Sequence, residues 1–127
     1  MNAYLIPGII RTDYKDLIGL MYSVPFKDPD SLIEFTTEFW QVNKGDLLSN
    51  KKNSENLILG RHLCAFLLYH KLGLNFEQVA IIMNKKSHAT IINSEKTIKN
   101  LWDTDKRFKK SIVDFYYKAM MWQNTQN

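Results

Sequence analysis

The chain has 127 residues, 45% hydrophobic and 13% aromatic, which suffices for one packed core, and at 24% charged it does not have a disordered composition. No run approaches the roughly 18 unbroken apolar residues of a membrane span, and a single cysteine, Cys64, excludes an internal disulfide framework. The net charge of +4 is unevenly spread: residues 1–50 carry four basic and seven acidic side chains, residues 51–110 twelve basic and five acidic, net +7. A basic middle beside an acidic start points to a polyanionic partner for the middle of the chain.

In chain order, the run Tyr4 to Ile10 is interrupted by Pro7-Gly8 and no basic residue precedes it. It makes a poor secretory signal, so the expected location is cytoplasmic. Residues 1–30 hold all three prolines, Pro7, Pro25 and Pro29, and should form short helices and turns. Asp30 or Ser31 can cap a helix through Leu32, Phe35, Phe39 and Trp40, apolar at helical spacing, which Gly45 should end. Residues 46–48 then read as a short turn, and Ser49 to Ser54 as a polar, basic loop.

The strongest helical pattern runs over about 55–72, with Leu57, Ile58, Leu63, Cys64, Leu67, Leu68 and Leu72 apolar and Gly73 as terminator. Asn75 with Gln78 three residues later has the form of a capping box for a short helix over 76–83. Asn84, Lys85 and Lys86 break it, and Ser87 can cap the next helix, about 88–102, which buries Ile91, Ile98, Leu101 and Trp102. After Asp103 to Asp105 a last helix should run from about 105 to 121. Strand alternation is absent throughout, so the expected fold is all-α. The expected organisation is a helical extension over 1–45 packing on the core, a main domain over 46–122, and a tail over 123–127.

A short helix, a tight turn and a second helix that is polar at its start describe a helix-turn-helix, whose second helix enters the DNA major groove N-terminus first. Its first-turn side chains are Ser87, His88, Ala89 and Thr90, preceded by Lys85 and Lys86, with Asn93 further along the polar side. Lys86 can reach a guanine edge or a phosphate, His88 can donate to either, Thr90 can bond phosphate, and the Ala89 methyl can touch a thymine methyl. Lys51 and Lys52 form a second electrostatic arm. Catalysis finds no support: His62 and His70 stand eight apart, not at metal-ligand spacing, and no paired carboxylates stand out. No metal or other cofactor is expected.

The segment from Leu47 to Leu101 resembles the C-terminal DNA-binding domain of the bacterial replication initiator DnaA. The likeness is carried by the basic loop Ser49-Asn50-Lys51-Lys52, by Gly60-Arg61-His62, by Asn75-Phe76-Glu77-Gln78-Val79-Ala80 and by Lys86-Ser87-His88-Ala89-Thr90-Ile91, where the family signature centres on Asp-His-Thr-Thr-Val. The resemblance implies an all-α helix-turn-helix bundle of about five to six helices, of the TrpR-like, DnaA C-terminal type, binding double-stranded DNA in replication or transcription control. It implies Lys51 or Lys52 in the minor groove, Arg61 on phosphate, Phe76 and Glu77 beside bases from the preceding helix, and His88 and Thr90 on base and backbone. Ser87 replaces the signature's Asp, Ala89 its first Thr, and Lys86 an Arg, so sequence discrimination should be weaker than the family's. No Gly-x-x-x-x-Gly-Lys-Ser/Thr loop is present, so no nucleotide is expected and the chain reads as a freestanding module. The competing reading is a protein-interaction module that keeps the fold. Its N-terminal aromatics Tyr4, Tyr14, Tyr22, Phe26, Phe35, Phe39 and Trp40, or the cluster Phe115 to Trp122, would dock a replication or regulatory protein.

Overall fold

A computed structural model describes residues 14–49, 54–85 and 87–126. Seven helices account for the described regular structure: α1 Tyr14–Tyr22, α2 Pro29–Trp40, α3 Lys44–Leu47, α4 Glu55–His70, α5 Phe76–Ile82, α6 His88–Thr104 and α7 Lys106–Gln126. No strand occurs among the described residues, and none of these helices is long and apolar enough to cross a membrane.

α4 is the axle. Leu57, Leu63, Cys64, Ala65, Phe66, Leu67 and Leu68 are all buried, so it is covered on most of its circumference, and α1, α2, α3, α5 and α6 all pack against it. Enclosure pushes the Cys64 thiol up to about 12, burial outweighing a hydrogen bond from Thr36. Gly60 lets the covering layer close. A Cβ there would lie 3.1 Å from Trp40 Cδ1 and 3.3 Å from Leu47 Cδ1, so α2 and α3 rest nearly on the α4 backbone.

One hydrophobic cluster includes Leu17 and Met21 of α1, Leu32 and Phe35 of α2, Trp102 of α6 and Phe115 of α7. The N-terminal aromatics therefore belong mostly to the core: Phe26, Phe35 and Trp40 are buried, with Phe35 packed at 5.0 Å from Phe115 and 5.6 Å from Trp122. Tyr22 is exposed, and Tyr4 lies outside the described residues.

Several boundaries differ from expectation for local reasons. Asp28, not Asp30 or Ser31, caps α2, its carboxylate accepting from Ser31 N–H at 2.8 Å. Pro29 then fills the first helical position, where its missing N–H costs nothing. α2 stops at Trp40 rather than near Gly45. Gln41 turns left-handed at φ 56°, while the Gln41 and Val42 amides donate back to the Glu38 and Thr37 carbonyls. Gly45 lies inside α3, which Asn43 caps by accepting from Asp46 N–H. α7 runs on to Gln126, beyond the end expected near residue 121.

Candidate nucleic-acid interface

α5 and α6 form the helix-turn-helix. Both halves of the capping box at the start of α5 are present: the Asn75 side chain accepts from Gln78 N–H at 2.8 Å and the Gln78 side chain from Asn75 N–H at 2.9 Å. α5 ends in a Schellman turn. Asn84 takes φ 58°, its N–H donates to Ile81 O at 3.1 Å, and Lys85 N–H donates to Ala80 O at 2.8 Å. Met83, 1% exposed, anchors the turn from below.

Ser87 caps α6, its Oγ accepting from Ala89 N–H at 3.0 Å. The inner face of α6, Ile91, Ser94, Ile98 and Trp102, is buried. Two side-chain pairs tether that helix to α4: His62 Nδ1 to Ser94 Oγ at 2.9 Å, and His70 Nε2 to Glu95 Oε2 at 2.6 Å. Burial, then the nearby Arg61 and Lys85 cations, hold the His62 imidazole below its usual range, in the neutral form. Neither histidine resembles a metal ligand, and no group of three or more metal-ligating side chains occurs among the described residues.

The outer face of α6 is open. His88, Ala89, Ile92, Asn93 and Lys96 are exposed, and Thr90 is half-buried at the edge. Ile92, 39% exposed one turn beyond His88, was not singled out by the sequence pattern. Helical spacing assigns Ile91 and Ile98 inward and leaves Ile92 off that stripe, but an apolar side chain carries no polar signal that would mark it as a contact residue.

Behind this face is a latch that periodicity cannot reveal. Four successive carbonyls, from Asp46 to Ser49, each accept a side-chain donor. Arg61 Nη2 donates to Asp46 O and Arg61 Nε to Leu47 O, both at 2.8 Å. Asn84 Nδ2 reaches Leu48 O at 3.4 Å and Lys85 Nζ reaches Ser49 O at 3.1 Å. The first two carbonyls lie in the last turn of α3, where intrahelical partners run out. Arg61 sits only 8% exposed, and although burial lowers its pKa against the opposing pull of Asp46, a guanidinium stays charged. The chain entering the basic loop is thereby tied to both α4 and the helix-turn-helix turn.

The other expected contact residues divide clearly. Ser87, His88, Ala89 and Asn93 share the exposed face of α6, with Thr90 at its edge. Glu77 is exposed at the start of α5, but Phe76 beside it is half-buried and stacks on Tyr69 with ring centroids 4.6 Å apart. Arg61 and Lys85 point into the latch. Lys51, Lys52 and Lys86 lie outside the described residues.

Comparison with known proteins agrees with this geometry. The family described as the bacterial DnaA protein helix-turn-helix matches residues 29–98, from the start of α2 through most of α6. The chromosomal replication initiator protein DnaA of Flavobacterium psychrophilum is 25% identical over 92 residues, covering 72% of this chain and 19% of that protein. The chain thus spans about a fifth of the length of that curated relative.

Proposed function

This chain belongs to the bacterial DnaA helix-turn-helix family, and from that premise we propose that it binds double-stranded DNA with α6 in the major groove. The observation that carries the proposal is the contrast between the two faces of α6. One is locked onto α4 by packing and two side-chain pairs. The other presents His88, Ala89, Ile92 and Asn93 to solvent from a capped N-terminus. A rigid helix with an uncommitted polar first turn is what major-groove entry requires.

His88 and Thr90 grip base edge and backbone, Asn93 reaches from the second turn, and Lys51, Lys52 and Lys86 neutralise phosphates. Glu77 stands at the edge of the contact, with Phe76 behind it supporting the start of α5. Arg61 and Lys85 act from behind by holding the chain at 46–49 in place. Ser87 limits specificity for a stereochemical reason. A capping Asp has a second carboxylate oxygen that only accepts and so selects a cytosine amine, whereas Ser87 has one neutral oxygen, engaged by the Ala89 amide, whose hydroxyl can donate as well as accept. The protein therefore grips duplex DNA with modest sequence preference, as a cytoplasmic DNA-binding component of replication or transcription control.

The test is fluorescence anisotropy with a duplex carrying the initiator's box and a scrambled duplex, each at two salt concentrations. Three lysines on phosphate give a log–log salt slope near −2.7, or about forty-fold weaker binding between about 50 and about 200 mM salt. Binding to both duplexes, with the box favoured less than about ten-fold, is the expected result. Absence of binding to either duplex at low salt refutes the proposal and leaves the interaction-module reading.

A further inference from the structure

The outward face of α6 is not uniformly polar. Its buried stripe is Ile91, Ser94, Ile98 and Trp102. At about 100° per residue, Ala89 falls about 180° from Ile98, at the middle of the opposite side, with Lys96 about 20°, Asn93 about 40° and Ile92 about 60° from it. Ala89, Ile92, Asn93 and Lys96 are all exposed, and Ile92 keeps 39% of its surface open. The other large exposed apolar side chains, Tyr22, Ile81 and Met121, belong to α1, α5 and α7. Single exposed isoleucines are common on protein surfaces; this one differs in its place on the face read as the DNA contact.

The chemistry of the major groove selects a partner for such a side chain. Thymine alone places a methyl group there, on C5, while the distinguishing groups of adenine, guanine and cytosine are hydrogen-bond donors and acceptors. Isoleucine can pair with none of those, and it would strip water from them. Against a thymine methyl it buries apolar surface on both sides.

The side chain and its support are both stiff. A branched Cβ leaves isoleucine one strongly preferred χ1 rotamer in a helix, so little freedom is lost when the contact forms. The helix beneath is held to α4 by the His62–Ser94 and His70–Glu95 pairs. Its nearest polar rival for base choice is weakened, since Ser87 Oγ is engaged by the Ala89 amide. Ala89 itself offers only a methyl, three residues before Ile92 and with its Cβ about 5–6 Å away, so the two form one apolar strip.

We propose that Ile92 is a specificity-determining residue, packing on a thymine methyl in the major groove, so that the chain favours duplexes with thymine at that position. This contact rests on the reading of α6 given above and names the class of sequence that α6 prefers. It needs no hydrogen bond to a base edge, and it fits a modest preference, because one buried methyl changes affinity by only about four-fold.

The test removes the methyl from the DNA and the side chain from the protein in turn. Deoxyuridine keeps every hydrogen-bonding group of thymine and lacks only the C5-methyl. Anisotropy is measured for the full chain on the box-carrying duplex, with each thymine of either strand replaced singly by deoxyuridine. The proteins are the wild type, Ile92→Ala and Ile92→Val, with folding of both variants checked by circular dichroism; the scan on the wild type needs no variant. At one or more thymines the wild type is expected to bind the deoxyuridine duplex about four-fold more weakly. Ile92→Ala should bind the parent duplex about four-fold more weakly, lose less than about 1.5-fold more at those thymines, and keep its salt slope, since no phosphate contact is removed. Ile92→Val should stay within about two-fold of the wild type on the parent duplex. A wild type that binds the parent duplex but is indifferent to every methyl overturns the proposal and leaves the reading of α6 standing. Methyl sensitivity that persists undiminished in Ile92→Ala assigns the methyl to another residue and overturns it too. A wild type that binds no duplex at low salt removes the reading of α6, and this contact with it.

Discussion

Replacing Arg61 with Met separates two roles that the same residue could play. The methionine keeps most of the aliphatic stem that fills the space beside α3 and removes the fork that donates to Asp46 O and Leu47 O at 2.8 Å. Hydrogen bonds from a charged donor contribute about 1.5–3 kcal/mol each. The Asp46 carbonyl can recover water, because its residue is half-buried, but Leu47 is 0% exposed. The expected loss is therefore about 2–4 kcal/mol rather than the full sum. For a chain of this size that corresponds to a Tm lower by about 8–16 °C. Urea denaturation followed by circular dichroism measures it, and Arg61→Lys should recover less than half, since an ammonium cannot present the fork. DNA binding by the folded variant should keep its salt slope. A stability change below about 0.5 kcal/mol, together with a salt slope shallower by about 0.9, would refute the latch and restore Arg61 to a phosphate.

Three other consequences can be checked on the same material. Asn84 sits at φ 58°, so Asn84→Ala should lose about 1–2 kcal/mol in thermal unfolding while Asn84→Gly stays within about 0.5 kcal/mol of wild type; equal losses would put the cost in the long Leu48 contact instead. His62 has its folded pKa depressed by burial, so its contribution to stability is complete above the unfolded value near 6.5 and falls as pH drops below it. His62→Gln should flatten that acid limb, and an unchanged limb in the variant would assign it to other groups. Ser87→Asp adds an acceptor and places negative charge at a helix start, so it should stabilise the fold by about 0.3–1 kcal/mol and raise box-over-scrambled selectivity five-fold or more, about 1 kcal/mol; unchanged selectivity would remove residue 87 from base readout.

The helices and their caps were largely legible, because the signals are local. Asn75 with Gln78, Ser87 and Gly73 lie next to the ends they mark, and the inward residues of α4 and α6 follow helical spacing. Gly45 misled because a terminating glycine and a glycine in a four-residue helix look alike in sequence, whereas Gln41 adopts the left-handed turn through its own backbone bonds. Arg61 reads as a surface cation until its acceptors, 14 and 15 residues upstream, are seen folded against it. His62 and His70 find partners 32 and 25 residues away, which spacing within one helix cannot indicate.

The claim that the start of α6 meets DNA is tested most directly by mapping amide chemical-shift changes as the labelled chain is titrated with less than one equivalent of a box-containing duplex. The largest changes are expected at residues 87–93, with a second group around 49–54 and little change in α2 or the C-terminal half of α7. Changes centred on α2 or on the exposed Ile81 of α5, with residues 87–93 unmoved, would contradict it.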